Sequence, residues 1–199
     1  TVIIYRASDM ILHNHSDAAY LVATGAQSRA AGYTYFGNNS NKQQIINGPI
    51  SIIAKIIKMV VSSAAEAEIA ALYMNARELL PLRVTCAELG HPQPPTPMRT
   101  DNNTASGIIN GTLKQARSKA IDMRFYWLLD RSAQKQFKIY WERGIKNLAD
   151  YFSKHHSAKH HKQLRPIYSY MESKSPSSLQ GCIELLAQRA PKYKAMVRL

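Results

Sequence analysis

The sequence predicts an α/β (α+β) fold in which a mixed five-stranded sheet carries flanking helices. Three strand patterns follow one another in the first half of the chain, at residues 10–15, 31–36 and 50–56, as in an antiparallel meander. The later strand patterns are separated by helical ones, which favours parallel strands added to the same sheet. With 199 residues, the chain is long enough for one domain with a full core.

The first three strands are predicted from apolar runs bounded by turn residues. In the first run, Ile11 and Leu12 are apolar and Asp17 lies just past the predicted end. A Gly/Ser/Ala-rich loop separates it from the second strand, and the turn-rich segment GNNSNKQQ separates the second strand from the third.

Helical spacing begins after Ser62 and ends by Gly90. Apolar side chains recur on one helical face at Ile69, Leu72, Tyr73, Ala76 and Leu80. Ser63 and Glu66 have the spacing of a capping box, and Pro81 predicts a kink or a division of the helix. The following HPQPPTP segment is predicted to be a stiff, extended connector.

The second half of the chain alternates short strands and helices. The predicted elements are a strand at 97–100 that ends at Asp101, a brief helix capped by Asn103, a helix at 119–134, a strand at 137–141 and a last helix from Asn147 to about Lys154. The pattern fades after about Tyr168, where a polar, linker-like stretch precedes a weak helical pattern at 182–190.

The charge balance is strongly basic. Lys and Arg number 26 against 13 Asp and Glu, which gives a net charge of +13. Such an excess favours a polyanionic partner, with nucleic acid ahead of an anionic membrane surface. No apolar stretch approaches the roughly 20 residues of a membrane span.

Cys86 and Cys182 fit neither a disulfide framework nor a zinc pattern, so we expect an intracellular, reducing compartment, in the cytoplasm or the nucleus. The chain begins with Thr1, as a piece of a longer polypeptide would, so an organelle also fits.

Four acidic residues lie at predicted strand ends and helix starts. They are Asp17 in NHSDAAY, Glu68 in SSAAEAEIAAL, Asp101 in RTDNNTASG and Asp150 in NLADYFSK. Carboxylates that separate elements bring to one point typically hold hard divalent cations. Each also has an ordinary explanation, such as turn chemistry for Asp101 or the start of a helix for Asp150. Periodicity does not choose between Glu66 and Glu68.

These segments together resemble the ribonuclease H domain of copia-type LTR retrotransposon polyproteins. The resemblance covers residues 8–168 and rests on SDAAY, SRAAGY, SSAAEAEIAAL, ELGHPQPPTP, TDNNTA, SKAIDMRFYW and NLADYFSKHH. It implies a ribonuclease H-like fold for 8–168, with 169–199 as a tail. Its catalytic, metal-ligating residues fall on Asp17, Glu68, Asp101 and Asp150, and Glu66 keeps the capping role. The implied cofactors are two Mg²⁺ or Mn²⁺ ions.

The resemblance implies metal-dependent hydrolysis of the RNA strand of RNA–DNA hybrids, and a reverse transcriptase domain or a larger nucleoprotein complex as partner. The loop at 142–146 lacks the His that many ribonucleases H carry there, which predicts slower turnover. Two alternatives stay open: a non-catalytic module that binds RNA or scaffolds a nucleoprotein assembly, and a nuclease of the same fold acting on DNA.

A row of basic and amide side chains is predicted to contact the nucleic acid. Candidate contacts are Asn102, Asn103, Lys114, Gln115, Arg117, Lys119 and Arg124, with Ser106, Arg131 and Lys135 nearby. Such groups hold phosphates and sugars without reading sequence, although charged helix faces are often simply solvated.

Tyr126, Trp127 and Trp141 are expected in the core. The cluster His155, His156, His160 and His161 favours a nucleic-acid contact over a transition-metal site.

Overall fold

A computed structural model of the protein describes residues 2–39, 42–43, 45–109 and 122–169. Five strands form one sheet: β1 (Ile11–Ala23), β2 (Gln27–Gly37), β3 (Pro49–Ile56), β4 (Thr96–Thr100) and β5 (Phe137–Trp141). The helices are α1 (Ala64–Glu88), α2 (Asn103–Ile109), α3 (Asp122–Ala133), α4 (Asp150–Ser153) and α5 (Ala158–Tyr168). A single 3-10 turn at Gly144–Lys146 precedes α4.

The sheet is mixed, with the strand order β3-β2-β1-β4-β5. β1 pairs antiparallel with β2, and β2 pairs antiparallel with β3, so the first three strands form the predicted meander. β4 pairs parallel with β1 and with β5. The predicted mixed five-stranded sheet is therefore confirmed, and its central strand is β1.

Helix α1 begins with the predicted capping box. Ser63 Oγ accepts a hydrogen bond from the Glu66 amide at 3.2 Å, and Glu66 Oε2 accepts one from the Ser62 amide at 2.6 Å. The helix continues through Pro81, so the predicted division there does not occur. Pro81 is exposed, and its ring therefore displaces no packed neighbour on the sheet side of the helix.

Asn75 joins α1 to the sheet through a buried polar network. Its Nδ2 lies within hydrogen-bonding distance of Ser16 Oγ (3.2 Å), Ala31 O (3.0 Å) and Ala71 O (2.9 Å), and its Oδ1 accepts a bond from Asn14 Nδ2 at 3.0 Å. The helix approaches β2 at a glycine, because a Cβ on Gly32 would lie 1.8 Å from Asn75 Oδ1. This contact fixes the height of α1 over β1 and β2.

The largest apolar core lies between α1, α3 and strands β4 and β5. Its fully buried members include Leu72, Leu79, Met98 and Leu128. The opposite face of the sheet carries a smaller cluster of Tyr33, Tyr35 and Leu148, packed against Phe152 and Tyr168 from α4 and α5. Both faces of the sheet are thus covered, and α4 contacts β1 and β2.

Several predicted boundaries differ from the structure. β1 continues past its predicted end to Ala23, so Asp17 lies inside the strand, because pairing with β2 extends to Ala19 and resumes at Ala23. Asn102, not Asn103, caps α2, since its Oδ1 accepts a bond from the Ala105 amide at 2.9 Å. The last predicted helix starts at Asp150 rather than Asn147, and α5 was not predicted as a helix.

The remaining sequence predictions fall partly outside the described residues. Cys86 is a buried free thiol, whereas Cys182 and the whole segment 170–199 lie outside the described ranges. The domain start at residue 8 stays a prediction. The residues before it are hydrogen-bonded to the start of β3: the Gly48 amide donates to Ile4 O, and the Tyr5 hydroxyl donates to Pro49 O. Among the described helices, none is long and apolar enough to cross a membrane.

Candidate metal centre

Three carboxylates from three elements meet at one edge of the sheet. One carboxylate oxygen each of Asp17 on β1, Glu68 on α1 and Asp101 after β4 lies within 4.8 Å of the other two. The pairing explains the meeting of the two aspartates. His15 on β1 lies opposite Arg99 on β4, so two residues further along these parallel strands Asp17 comes beside Asp101.

Glu68 is held in place by hydrogen bonds that use both of its carboxylate oxygens. Oε1 accepts from the Ala18 amide at 3.1 Å, and Oε2 accepts from Thr100 Oγ1 at 3.4 Å. The side chain is buried, with 5% of its surface exposed. Glu66 caps the helix instead. The geometry thus separates the two glutamates in the way the resemblance implied, although the ligand role of Glu68 stays a prediction.

Asp150 lies near this cluster but pairs with a cation of the protein. Lys154, one helical turn further on, donates a hydrogen bond from Nζ to Asp150 Oδ1. Asp150 is outside the group of oxygens within 4.8 Å. The structure therefore brings together three of the four predicted ligands and places the fourth beside them, with the Lys154 ammonium between negative groups. Sequence reasoning missed Lys154, although the Asp-x-x-x-Lys spacing in a helix was its signal.

Burial and mutual repulsion raise the pKa of the clustered carboxyls. Burial first, then the charges of Asp17 and Asp101, raise the pKa of Glu68 to about 9. Burial is also the main cause that raises the pKa of Asp17 to about 6, against the opposing effects of the Ser153 hydroxyl and Lys154. The pKa of Asp101 is raised as well, mainly by burial. Burial alone would lower the pKa of Lys154, but the hydrogen bond that it donates to Asp150 and the charges of the surrounding carboxylates raise it.

The donor set fits a hard divalent cation. All the converging atoms are carboxylate oxygens, which Mg²⁺ and Mn²⁺ prefer over nitrogen or sulfur. Within the described residues, Asp17 Oδ2 is buried and has no hydrogen-bond partner. Burying a carboxylate oxygen without a hydrogen-bond donor costs free energy, and a bound cation would offset that cost. The residues are thus compatible with a divalent metal site, whose ion identity is a proposal.

The loop between β5 and α4 closes one side of the cluster. A Cβ on Gly144 would lie 2.4 Å from Asp101 Oδ2, so the loop backbone approaches that carboxylate closely. Two hydrogen bonds then join the start of α4 to β1: Asn147 Nδ2 donates to Ser16 O at 2.9 Å, and the Leu148 amide donates to His15 Nδ1 at 3.0 Å. These bonds set where Asp150 enters the site.

The predicted nucleic-acid contacts divide into three groups. Lys114, Gln115, Arg117 and Lys119 lie outside the described residues. The side-chain oxygen of Asn102 accepts the hydrogen bond that caps α2. Asn103 is exposed and begins that helix beside Asp101. Arg124 lies over the Tyr73 ring, 5.6 Å from its centre, which accounts for its position by packing. The contacts to nucleic acid stay predictions.

Two of the three aromatic residues expected in the core are exposed. Trp127 packs on the main core, as predicted. Tyr126 and Trp141 are 61% and 46% exposed, so the expectation is wrong for them. Tyr126 lies on the outer face of α3, and Trp141 ends the edge strand β5, where its indole N–H donates to Asp101 O at 2.9 Å. An apolar ring is therefore open to solvent next to the carboxylates.

A cavity of about 1310 Å³ lies beside the cluster, between the sheet face opposite α1 and helix α5. Its floor includes the buried side chains of His13, His15 and Arg99, and Asp150 lines one end. Burial, together with the charge of Arg99, lowers the pKa of His15 to about 3. This histidine is a neutral acceptor for the Leu148 amide and so holds the loop before α4.

No protein-family model matches the chain. The chain is similar to the retrovirus-related Pol polyprotein from transposon TNT 1-94 of Nicotiana tabacum, with 26% identity over 150 residues. The predicted resemblance is confirmed. The match covers 75% of this chain but only 11% of that polyprotein.

Solved structures of ribonuclease H domains are also similar to this chain. One is the N-terminal ribonuclease H domain of a Mycobacterium tuberculosis protein, with 11% identity, coverage of 72% of this chain and 91% of that chain, and a TM-score of 0.49. Another is LC11-RNase H1, isolated from compost and solved with an RNA/DNA hybrid, with 14% identity, coverage of 70% and 91%, and a TM-score of 0.48. The β3-β2-β1-β4-β5 sheet with its flanking helices agrees with the predicted ribonuclease H-like fold.

Proposed function

We propose that this ribonuclease H-like domain is a divalent-metal-dependent endonuclease that hydrolyses the RNA strand of RNA–DNA hybrids. The observation that carries the proposal is the convergence of Asp17, Glu68 and Asp101 from three different elements. Similarity to a retrotransposon Pol polyprotein supports the hybrid as substrate, since copying RNA into DNA produces one.

In this proposal Asp17, Glu68, Asp101 and Asp150 hold two Mg²⁺ or Mn²⁺ ions. When bound, the ions would supply an activated water and stabilise the leaving oxygen of the phosphodiester. The chain's own hydrogen bonds prepare the ligands: the Ala18 amide and Thr100 hydroxyl orient Glu68. For all four carboxylates to act on cations, the Lys154 ammonium must leave Asp150.

Exposed groups around the cluster would position the substrate. Asn103 and Trp141 flank Asp101 and are open to solvent, so they are placed to contact sugar or base next to the scissile phosphate. The net charge of +13 would draw a polyanion to the surface, and phosphate contacts would hold it without regard to sequence.

One observation favours a second candidate function. The Lys154–Asp150 ion pair already places a fixed cation among the carboxylates, as a domain without metals would require. Together with the surplus positive charge, it supports a non-catalytic module that binds RNA or scaffolds a nucleoprotein assembly.

A cleavage assay separates these candidates. An end-labelled RNA–DNA hybrid is incubated with the protein in Mg²⁺ or in chelator, beside the Asp101→Asn variant and beside Asp130→Asn, which changes an exposed aspartate of α3 outside the cluster. If the protein is an endonuclease, it cleaves the RNA strand in Mg²⁺. Chelator and the Asp101→Asn substitution abolish this cleavage, and Asp130→Asn preserves it. Hybrid or RNA binding without cleavage would instead support the module. Duplex DNA run in parallel identifies a nuclease of the other substrate class.

A further inference from the structure

Helix α5 and the turn before it carry positive charge without any acidic residue. Between Lys154 and Tyr168 the sequence is KHHSAKHHKQLRPIY. We define the α5 basic surface as the exposed side chains of Lys159, Lys162 and Arg165, with His155 and His160 beside them. No residue of α5 is fully buried, and the helix contacts the sheet side through Leu164, Ile167 and Tyr168, so its packing does not account for the exposed cations.

The cations of this surface are not neutralised by the rest of the described chain. Among the ion pairs between described residues, none includes Lys159, Lys162 or Arg165. Lys159 stands in the first turn of the helix, where positive charge opposes the helix dipole. A short helix whose charges repel one another gains little stability by itself. Its charge pattern is instead suited to an anionic partner.

The geometry of the helix arranges the three cations in a row. At about 100° per residue, positions 159, 162 and 165 fall within an arc of about 120° on one side of the helix. At about 1.5 Å per residue they span about 9 Å along the axis. Successive phosphates of one strand advance by about 3.4 Å along a duplex, so the row is long enough for two or three of them.

Aromatic contacts fix this row close to the carboxylate cluster. Tyr168 stacks on Tyr151, with ring centres 4.8 Å apart, and its hydroxyl donates to Leu148 O at 2.8 Å. Tyr151 directly follows Asp150, and its hydroxyl is hydrogen-bonded to His161 Nδ1 on α5. The helix is thus attached to the same short segment that brings Asp150 into the site.

We propose that the α5 basic surface binds backbone phosphates of the nucleic-acid substrate a few nucleotides from the carboxylate cluster. The proposal rests on the proposed function for the identity of that substrate, an RNA–DNA hybrid. The contacts are ionic and independent of base sequence, so they add affinity and fix how the hybrid lies across the site.

The test is binding of a fluorescent RNA–DNA hybrid measured by anisotropy in chelator, where no cleavage occurs. The triple charge reversal K159E/K162E/R165E is compared with K55E/K58E/R77E, a matched change of exposed cations outside α5. We expect the α5 variant to bind at least tenfold more weakly at 100 mM salt, with a salt slope smaller by about 2–3, because about 0.9 is lost for each phosphate contact. The control variant should lose less than threefold.

Equal losses in the two triple variants would overturn the proposal, because they would show an effect of net charge alone. Unchanged hybrid binding with lost binding to phosphatidylserine vesicles or an acidic peptide would also overturn it. K159Q/K162Q/R165Q, checked by circular dichroism, should show the same direction and so excludes an effect of misfolding.

Cleavage by the unmodified chain in Mg²⁺ keeps the two proposals apart. If that chain cleaves the hybrid and the α5 variant binds normally, only the α5 proposal fails. If it binds through α5 and does not cleave, only the endonuclease fails.

Discussion

At the scale of single residues, the site is defined as much by Lys154 as by the acids. Lys154 is the one side-chain cation paired with Asp150 in the described part of the chain, and its charge also acts on Asp17 and Asp101. An ammonium in that position competes with a divalent ion for the same oxygens. The residue therefore sets how tightly a metal is held.

Replacing Lys154 by Gln is expected to tighten metal binding. Without the ammonium, Asp150 is free to serve as a ligand and a repulsive charge is gone, so the Kd for Mn²⁺ should fall by about 5–30-fold, equivalent to about 1–2 kcal/mol. Isothermal titration with Mn²⁺ measures this directly. Lys159→Gln, which removes an exposed cation of α5, is the control. An unchanged or larger Kd in Lys154→Gln would mean that the lysine does not compete with the ion.

Replacing Gly144 by Ala should impair the site without unfolding the protein. The added methyl group would lie 2.4 Å from Asp101 Oδ2, and the carboxylate must move away from it. If the endonuclease proposal holds, we expect cleavage to slow by about 10–100-fold, as is usual for a displaced active-site group, while the free energy of unfolding changes by less than about 1 kcal/mol. Lys146→Ala, in the same turn and exposed, should leave the cleavage rate unchanged. Normal activity of Gly144→Ala would show that the loop gives way instead.

At the scale of the elements, the position of Glu68 depends on how α1 docks on the sheet. The buried Asn75 lies two turns after Glu68 and bonds to β1 and β2 together. Gly32 on β2 leaves the space that the Asn75 side chain fills. The helix, and with it the glutamate, is held by this pair at a fixed height over the strands.

A double-mutant cycle on Gly32 and Asn75 tests this docking. Asn75→Ala leaves several buried polar groups without partners and should cost about 2–4 kcal/mol. Gly32→Ala forces a methyl group into the Asn75 amide and should cost at least about 2 kcal/mol. In the double variant the clash is removed, so the combined cost should be smaller than the sum of the single costs. Urea denaturation gives the three values, and strictly additive costs would contradict the proposed contact.

The sequence predicted elements well where hydrophobic periodicity is strong, and poorly where tertiary contacts decide. The strand at 137–141 alternates cleanly and is found at those residues, and the capping box at Ser63 and Glu66 is local chemistry. The length of β1 depends on its pairing with β2, and Asn147 is used to bind Ser16 O rather than to cap a helix. Helix α5 was missed because its apolar residues Leu164, Ile167 and Tyr168 are confined to its last turns, with Pro166 among them.

At the scale of the whole molecule, the carboxylate cluster couples stability to pH and to metal. The convergence of Asp17, Glu68 and Asp101 was predicted from the resemblance, since single acids far apart in sequence carry no record of their distance in the fold. Lys154 and Gly144 were missed because their effect arises only once that distance is closed. Burying the cluster costs free energy that the protein recovers by protonation or, in the present proposal, by binding a cation.

The metal-free protein should therefore lose stability as the pH rises from 7 to 9. The pKa of Glu68 is raised to about 9 in the folded state, so folding favours its protonated form, and that contribution disappears as the pH rises through the folded pKa. Below pH 7 the lowered pKa values of His13 and His15 act in the opposite direction, because the unfolded chain then binds protons that the folded histidines do not, whereas the raised pKa of Asp17, about 6, acts in the same direction as that of Glu68.

Urea denaturation in chelator and in 10 mM Mg²⁺ across this pH range checks the expectation. Mg²⁺ should restore the stability lost at pH 9, since a bound cation replaces the proton. Glu68→Gln should flatten the decline and raise the free energy of unfolding of the metal-free protein by about 1–3 kcal/mol at pH 8. Glu78→Gln, an exposed glutamate of the same helix, should keep the full decline. If the metal-free protein were equally stable at pH 7 and pH 9, ionising the buried carboxyls would cost no free energy. The repulsion that favours cation binding at this site would then be absent.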